Sequence, residues 1–214
     1  MSRSEAVPPV KKILVLFAHP ALQKSRINRR LAGALEGLED VLVHDLYEAY
    51  PEFHIDVPRE QKLLVEHDII VFQHPFYWYS APALLKEWED LVLEYGFAYG
   101  QEGTALQGKW MFSAITTGGS ESAYQPDGIN RYRIRQLLAP FEQTATLCGM
   151  RYLPPFVVHE THRLTGDAQI EPYASAYRDI LIALRDGGLT AEMAESADML
   201  NDCHPALQAQ RASP

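Results

Sequence analysis

The sequence predicts an α/β fold, a parallel sheet with helices on both faces. Two observations carry that prediction. Runs of strand length such as ILVLFA (residues 13–18) are apolar throughout instead of alternating, as a strand covered on both faces reads. Between these runs lie segments whose apolar residues recur at helical spacing, and strand and helix alternate five times along the chain.

The elements follow in order. Residues 13–18, after two lysines and before His19 and Pro20, are the first strand. In SRINRRLAGALEGL, Ile27, Leu31, Ala34, Leu35 and Leu38 share one helical face, and Ser25 is placed to cap its start. Residues 41–47 are a second strand, REQKLLVEH a short helix, and residues 68–75 a third strand. PALLKEWEDLVLEY is an amphipathic helix opened by Pro82, with Leu84, Leu85, Trp88, Leu91, Val92 and Tyr95 inward. KWMFSAIT is a fourth strand. RIRQLLAPFEQTATLCG is a helix, reset near Pro140, with Ile134, Leu137, Leu138, Phe141 and Ala145 on one face. YLPPFVVH is a fifth strand, put at an edge by Pro154 and Pro155. YASAYRDILIALRD is the closing helix. The expected organisation is a flexible leader at 1–11, one domain at 12–187, and a polar tail at 188–214 that holds one short helix and frays at its end.

Composition narrows the function. The chain has 214 residues, 47% of them hydrophobic, enough for one sizeable core. Lys and Arg total 19 against 28 Asp and Glu, a net charge of −9, which argues against nucleic acid and anionic lipid as partners. Cys148 and Cys203 are far apart and outside any metal-type pair, so a reducing compartment fits. The start of the chain has no targeting pattern and no apolar stretch is long enough to span a bilayer. The expected location is the cytoplasm.

In parallel α/β sheets, ligands bind beyond the C-terminal ends of the strands. Three loops there stand out. After the first strand comes AHPALQKSRIN, with neither a dinucleotide fingerprint nor a P-loop. It offers His19, then Ser25 at a helix start with Arg26, Ile27 and Asn28 in the first turn, suited to a phosphate or to an ordinary cap. After the third strand, Phe76, Tyr77, Trp78 and Tyr79 form an aromatic cluster able to pack a flat ring or a subunit surface. After the fourth comes TTGGSESAY. Its Gly118 and Gly119 allow close backbone approach, the hydroxyls of Thr116 and Thr117 can meet ring carbonyls and nitrogens, and Tyr124 can bond a reduced ring or substrate. Together the three loops describe a site for a mononucleotide with a planar ring.

These stretches (ILVLFAHP…SRIN, DIIVFQHPFYWYSAPALLKEWED, GFAYG…GTALQGK, TTGGSES and CGMRYLPPFVVH) resemble the flavodoxin-like NAD(P)H:quinone oxidoreductases. The branch they are most similar to is that of the ancillary oxidoreductase subunits of glutathione-gated potassium efflux systems. The resemblance covers roughly residues 12–186. It implies a five-stranded sheet in the order 2-1-3-4-5, a bound FMN rather than FAD, and a homodimer with its site at the subunit interface. The implied activity is a two-step hydride transfer from NAD(P)H through FMN to a quinone or similar electrophile. His19 and residues 25–28 carry over to the phosphate end, and Phe76, Tyr77, Trp78, Tyr79, Thr117, Gly118, Gly119 and Ser120 to the ring. Two departures stand out: position 77 is Tyr where several relatives have Gln, and Asn130 stands where some relatives place a His, leaving Tyr124 as the candidate catalytic group. The resemblance equally implies a regulatory subunit that docks on a membrane potassium efflux transporter, peripheral to the inner membrane face. A single-electron carrier fits less well with the aromatic loop.

Other reactive residues have plainer readings. His44, His54, His67 and His74 lack metal-ligand spacing, and His159 and His162 make only a pair. The stretch VVHETHR is instead expected to line the pocket mouth from a partner subunit. No serine sits in a nucleophile elbow. The basic run NRYRIRQ is a solvated helix start, within reach of a cosubstrate phosphate.

Overall fold

The computed structural model describes residues 9–212, with side chains through 209; most of the expected leader and the last two residues lie outside the described residues. Strands β1 (Ile13–Phe17), β2 (Val41–Asp45), β3 (Ile69–Pro75), β4 (Trp110–Thr116) and β5 (Arg151–Tyr152) pair in parallel in the order 2-1-3-4-5. A sixth, β6 (Phe156–Val158), also pairs with β4. β1 and β3 are buried along their whole length, which is why neither alternates in sequence. Their side chains divide by parity. Ile13, Val15, Ile69 and Val71 enter one core, and Leu14, Leu16, Ile70 and Phe72 the other.

Nine helices surround the sheet among the described residues. In chain order they are α1 (Arg26–Gly33), α2 (Leu46–Ala49), α3 (Val57–Glu66), α4 (Ala83–Val92), α5 (Ile134–Leu137), α6 (Ala139–Leu147), α7 (Asp167–Arg185), α8 (Ala191–Glu195) and α9 (His204–Ala212). Helices α1, α7, α8 and α9 cover the first core, and α2 to α6 the second. In the second core Glu60, fully buried, accepts from His44 Nε2 (2.9 Å), the Tyr50 hydroxyl (2.5 Å) and Trp88 Nε1 (2.8 Å). Burial raises the pKa of its carboxyl, but the three donors together outweigh that and hold it below the ordinary range.

Several elements depart from the sequence reading. The second strand stops at Asp45, whose carboxylate accepts from the amides of Tyr47 and Glu48 and starts α2. Leu91 and Tyr95 are not inward; α4 ends at Val92, and Tyr95 is 70% exposed. The helix at 134–147 breaks at Leu138, where Pro140 begins a new first turn. The fifth strand is two short segments on one edge, interrupted at the prolines.

The segment after α7 holds more than one short helix. Leu189, Ala191, Ala194, Leu200, Cys203 and Leu207 are all buried in the first core. Asn201 lies against the open side of β6. Its Oδ1 accepts the Val157 N–H at 2.9 Å and its Nδ2 donates to the Val157 carbonyl at 3.0 Å, supplying the pairing that a further strand would give. Arg151 of β5 bridges to Glu192 (2.5 Å) and Glu195 (2.6 Å) of α8.

Candidate functional site

The ends of β1, β3 and β4 open on a cleft of about 430 Å³. Its phosphate-sized end is built by the start of α1. The Ser25 hydroxyl accepts the Asn28 N–H at 3.3 Å, leaving the N–H groups of the first turn and the positive end of the helix facing the cleft. His19 borders the same end. Its Nδ1 accepts the Ala21 N–H, which leaves Nε2 to carry the proton when the ring is neutral, and burial lowers its pKa. The Arg26 guanidinium is turned onto the carbonyls of Leu164 and Thr165, so only the rest of that residue serves the cleft.

Asn28 joins the first loop to the third. Its side chain, 2% exposed, donates to Thr116 Oγ1 at 2.9 Å, and its carbonyl accepts from Gln73 Nε2, which Tyr177 backs in turn. Asn28 Oδ1 is buried without a partner among the described residues. Both threonine hydroxyls, which the sequence offers to a ring, meet partners within the chain. Thr116 Oγ1 is taken by Asn28, while Thr117 Oγ1 donates to the Gly119 carbonyl (2.9 Å) and accepts from His159 Nδ1 (3.1 Å). They hold the cradle in shape. Ser120 likewise caps a 3-10 turn at Glu121–Tyr124.

The glycines do different work. A Cβ on Gly118 would meet nothing within 4 Å, so it would stand in the cleft that Gly118 lines. A Cβ on Gly119 would come within 3.0 Å of the Tyr124 ring. Tyr124 is 7% exposed, and burial raises the pKa of its hydroxyl. It shares a shallow bowl of about 290 Å³ with Phe76, Tyr77, Trp78 and Tyr79. The aromatic loop turns tightly there, with Ser80 N–H bonding the Tyr77 carbonyl. Trp78 (φ 51°) and Tyr79 (φ 62°) sit in the left-handed region that bulky residues avoid, and Trp78 is left 93% exposed. Asn130 Oδ1 accepts from the Tyr79 hydroxyl at 3.1 Å and steadies the bowl.

His19, Ser25, Arg26, Ile27, Asn28, Phe76, Tyr77, Thr116 and Gly118 thus share one cleft; Trp78, Tyr79 and Tyr124 border the adjoining bowl, and Thr117, Gly119 and Ser120 form the loop behind it. Sequence reasoning missed Lys24, which adds a positive charge to the cleft, and it did not bring Thr161 and His162 to it. These two line this chain's own cleft, where Thr161 N–H bonds the Thr117 carbonyl. No signal in VVHETHR alone gives that pairing. Among the described residues no group of three His, Cys, Asp or Glu is placed to hold a metal ion.

A capped helix start and two strand-end loops, meeting at the C-terminal edge of a parallel sheet without any dinucleotide fingerprint, make this an α/β protein with its cleft where such sheets place ligands. The chain belongs to the flavodoxin-like fold family, whose model matches residues 11–181. It is 53% identical over 174 residues, 81% of this chain and 93% of the other, to the glutathione-regulated potassium-efflux system ancillary protein KefG of Pectobacterium carotovorum. A solved structure of general stress protein 14 from Treponema denticola, in complex with FMN, is 39% identical with a TM-score of 0.76, covering 81% of this chain and 99% of that one. An NADPH-quinone reductase from P. pentosaceus is 36% identical with a TM-score of 0.71, covering 78% and 96%.

Proposed function

We propose that this protein is an FMN-dependent NAD(P)H:quinone oxidoreductase. The observation that carries the reading is the cleft itself, which offers helix N–H groups, Lys24 and His19 at one end and an open glycine at Gly118. The buried, unpartnered Asn28 Oδ1 between these parts is a further polar atom for a bound group to satisfy. The likeness to a protein solved with FMN and to an NADPH-quinone reductase supports it. FMN supplies hydride acceptance and donation when bound. The chain does the rest. The start of α1 with Ser25 holds the phosphate, the Thr116–Asn28 bond fixes the distance between the two loops, and Gly118 lets the backbone lie close to the ring. Tyr124 and the backbone N–H groups of the glycine loop steady negative charge there.

The test is the visible spectrum of purified protein loaded with FMN. The band bleaches under anaerobic NADPH and returns on adding a quinone; protein that neither holds FMN nor bleaches overturns the reading. The exposed Trp78, Tyr79, Tyr132 and Ile129 near the bowl favour a homodimer that covers them, checked by sedimentation. The 53% identity to a potassium-efflux ancillary protein favours a second role, docking on such a transporter from the cytoplasmic side. None of the described helices is long and apolar enough to cross a membrane. Co-purification with a transporter's cytoplasmic domain tests that role.

A further inference from the structure

Behind Tyr124 lies another compartment, of about 170 Å³. Glu121 and Asp198 bring carboxylates to it, and Arg133 and Arg135 bring guanidiniums. None of these four joins an ion pair among the described residues. His159 also lines the compartment. Because Thr117 Oγ1 gives its proton to Gly119, it takes the one on His159 Nδ1, and this leaves a lone pair on Nε2. That Nε2 is buried and has no partner among the described residues, so it calls for a donor. Burial also lowers the pKa of the imidazole and so favours the neutral form that can accept.

Asp198 and Met199 belong to the segment after α7, beyond residues 11–181 that match the family. They are held in place by their neighbours. Leu200 N–H bonds the Pro155 carbonyl, and Asn201 clamps β6. Two of the residues lining this compartment therefore lie outside the stretch that matches the family, and the rest lie within it.

We propose that the compartment is a separate binding site for a small zwitterion of the α-amino-acid type. The guanidiniums of Arg133 and Arg135 take the carboxylate. Asp198, Glu121 and the bare Nε2 of His159 take the ammonium. Ile134 and Met199 border the side chain. A purely anionic ligand would leave both carboxylates facing it, and a purely cationic one both guanidiniums.

The test is calorimetry on the full chain, with and without FMN, using alanine, glutamate and lysine, each beside its methyl ester and its N-acetyl form. At least one free amino acid binds saturably, and blocking either end weakens it tenfold or more. Arg133→Gln and Asp198→Asn, both at exposed positions, each weaken it to a similar degree while the melting temperature stays put. Absence of binding by all three free amino acids, or binding that the blocked forms and both variants match, overturns the proposal. Binding in the FMN-free protein separates this outcome from the fate of the oxidoreductase reading.

Discussion

Glu60→Gln is the most informative single change to the scaffold. The wild-type carboxylate is fully buried and accepts three hydrogen bonds, two at Oε1 from His44 and Tyr50 and one at Oε2 from Trp88. The amide keeps the shape. Its one oxygen can still face His44 and Tyr50, but its N–H₂ then faces the Trp88 N–H, donor against donor. One bond to a charged acceptor is lost and a buried indole donor is stranded, a cost of about 2–3 kcal/mol. Urea unfolding at pH 7 reads this directly as a lower midpoint at unchanged slope. The pH dependence supplies a second check. The pKa of Glu60 lies below its ordinary value in the folded state, so its contribution is present above pH 4.5 and is lost as pH falls through the folded pKa. The gap between wild type and variant should therefore narrow in acid. A variant within about 0.5 kcal/mol of wild type at pH 7 would refute the view that this carboxylate anchors α3 against the second core.

Three further outcomes follow from the geometry. Gly118→Val should leave the melting temperature unchanged, because a Cβ there meets no protein atom within 4 Å, yet weaken FMN retention tenfold or more in a titration followed by flavin fluorescence. Asn201→Leu removes both bonds to Val157 and should lower stability by about 1–3 kcal/mol, with faster hydrogen exchange at β6. His74 is fully buried, and its pKa is pushed down to about 4 by burial. Its unfolded form takes up a proton near pH 6.5 while its folded form does not, so wild type loses stability as pH falls from about 6.5 toward 4, and His74→Leu should flatten that part of the curve.

The order of the elements was legible in the chain itself. Apolar runs at 13–17 and 69–72 read as strands covered on both faces, and Ser25 and Pro82 marked helix starts because capping is a local property. The three loops that build the cleft were legible too, since a parallel sheet brings the ends of consecutive strands to one edge. Local pattern misled where a choice was made across the sheet. Leu91 and Tyr95 follow the helical period, yet both stay exposed, and Tyr95 meets only the edge of the Tyr99 ring beyond the end of α4. The threonine hydroxyls looked free because their partners, Asn28 and His159, lie 88 and 42 residues away. Lys24, Thr161 and His162 join the cleft through chain geometry rather than motif. The segment from 188 onward reads as polar and small because its apolar residues are sparse. Yet Leu200, Cys203 and Leu207 find the open flank of α7, and one asparagine side chain closes the edge of β6. Sequence determines what each residue can offer nearby. Which distant group accepts that offer depends on burial and on buried polar atoms needing partners, and only the packed tertiary structure decides it.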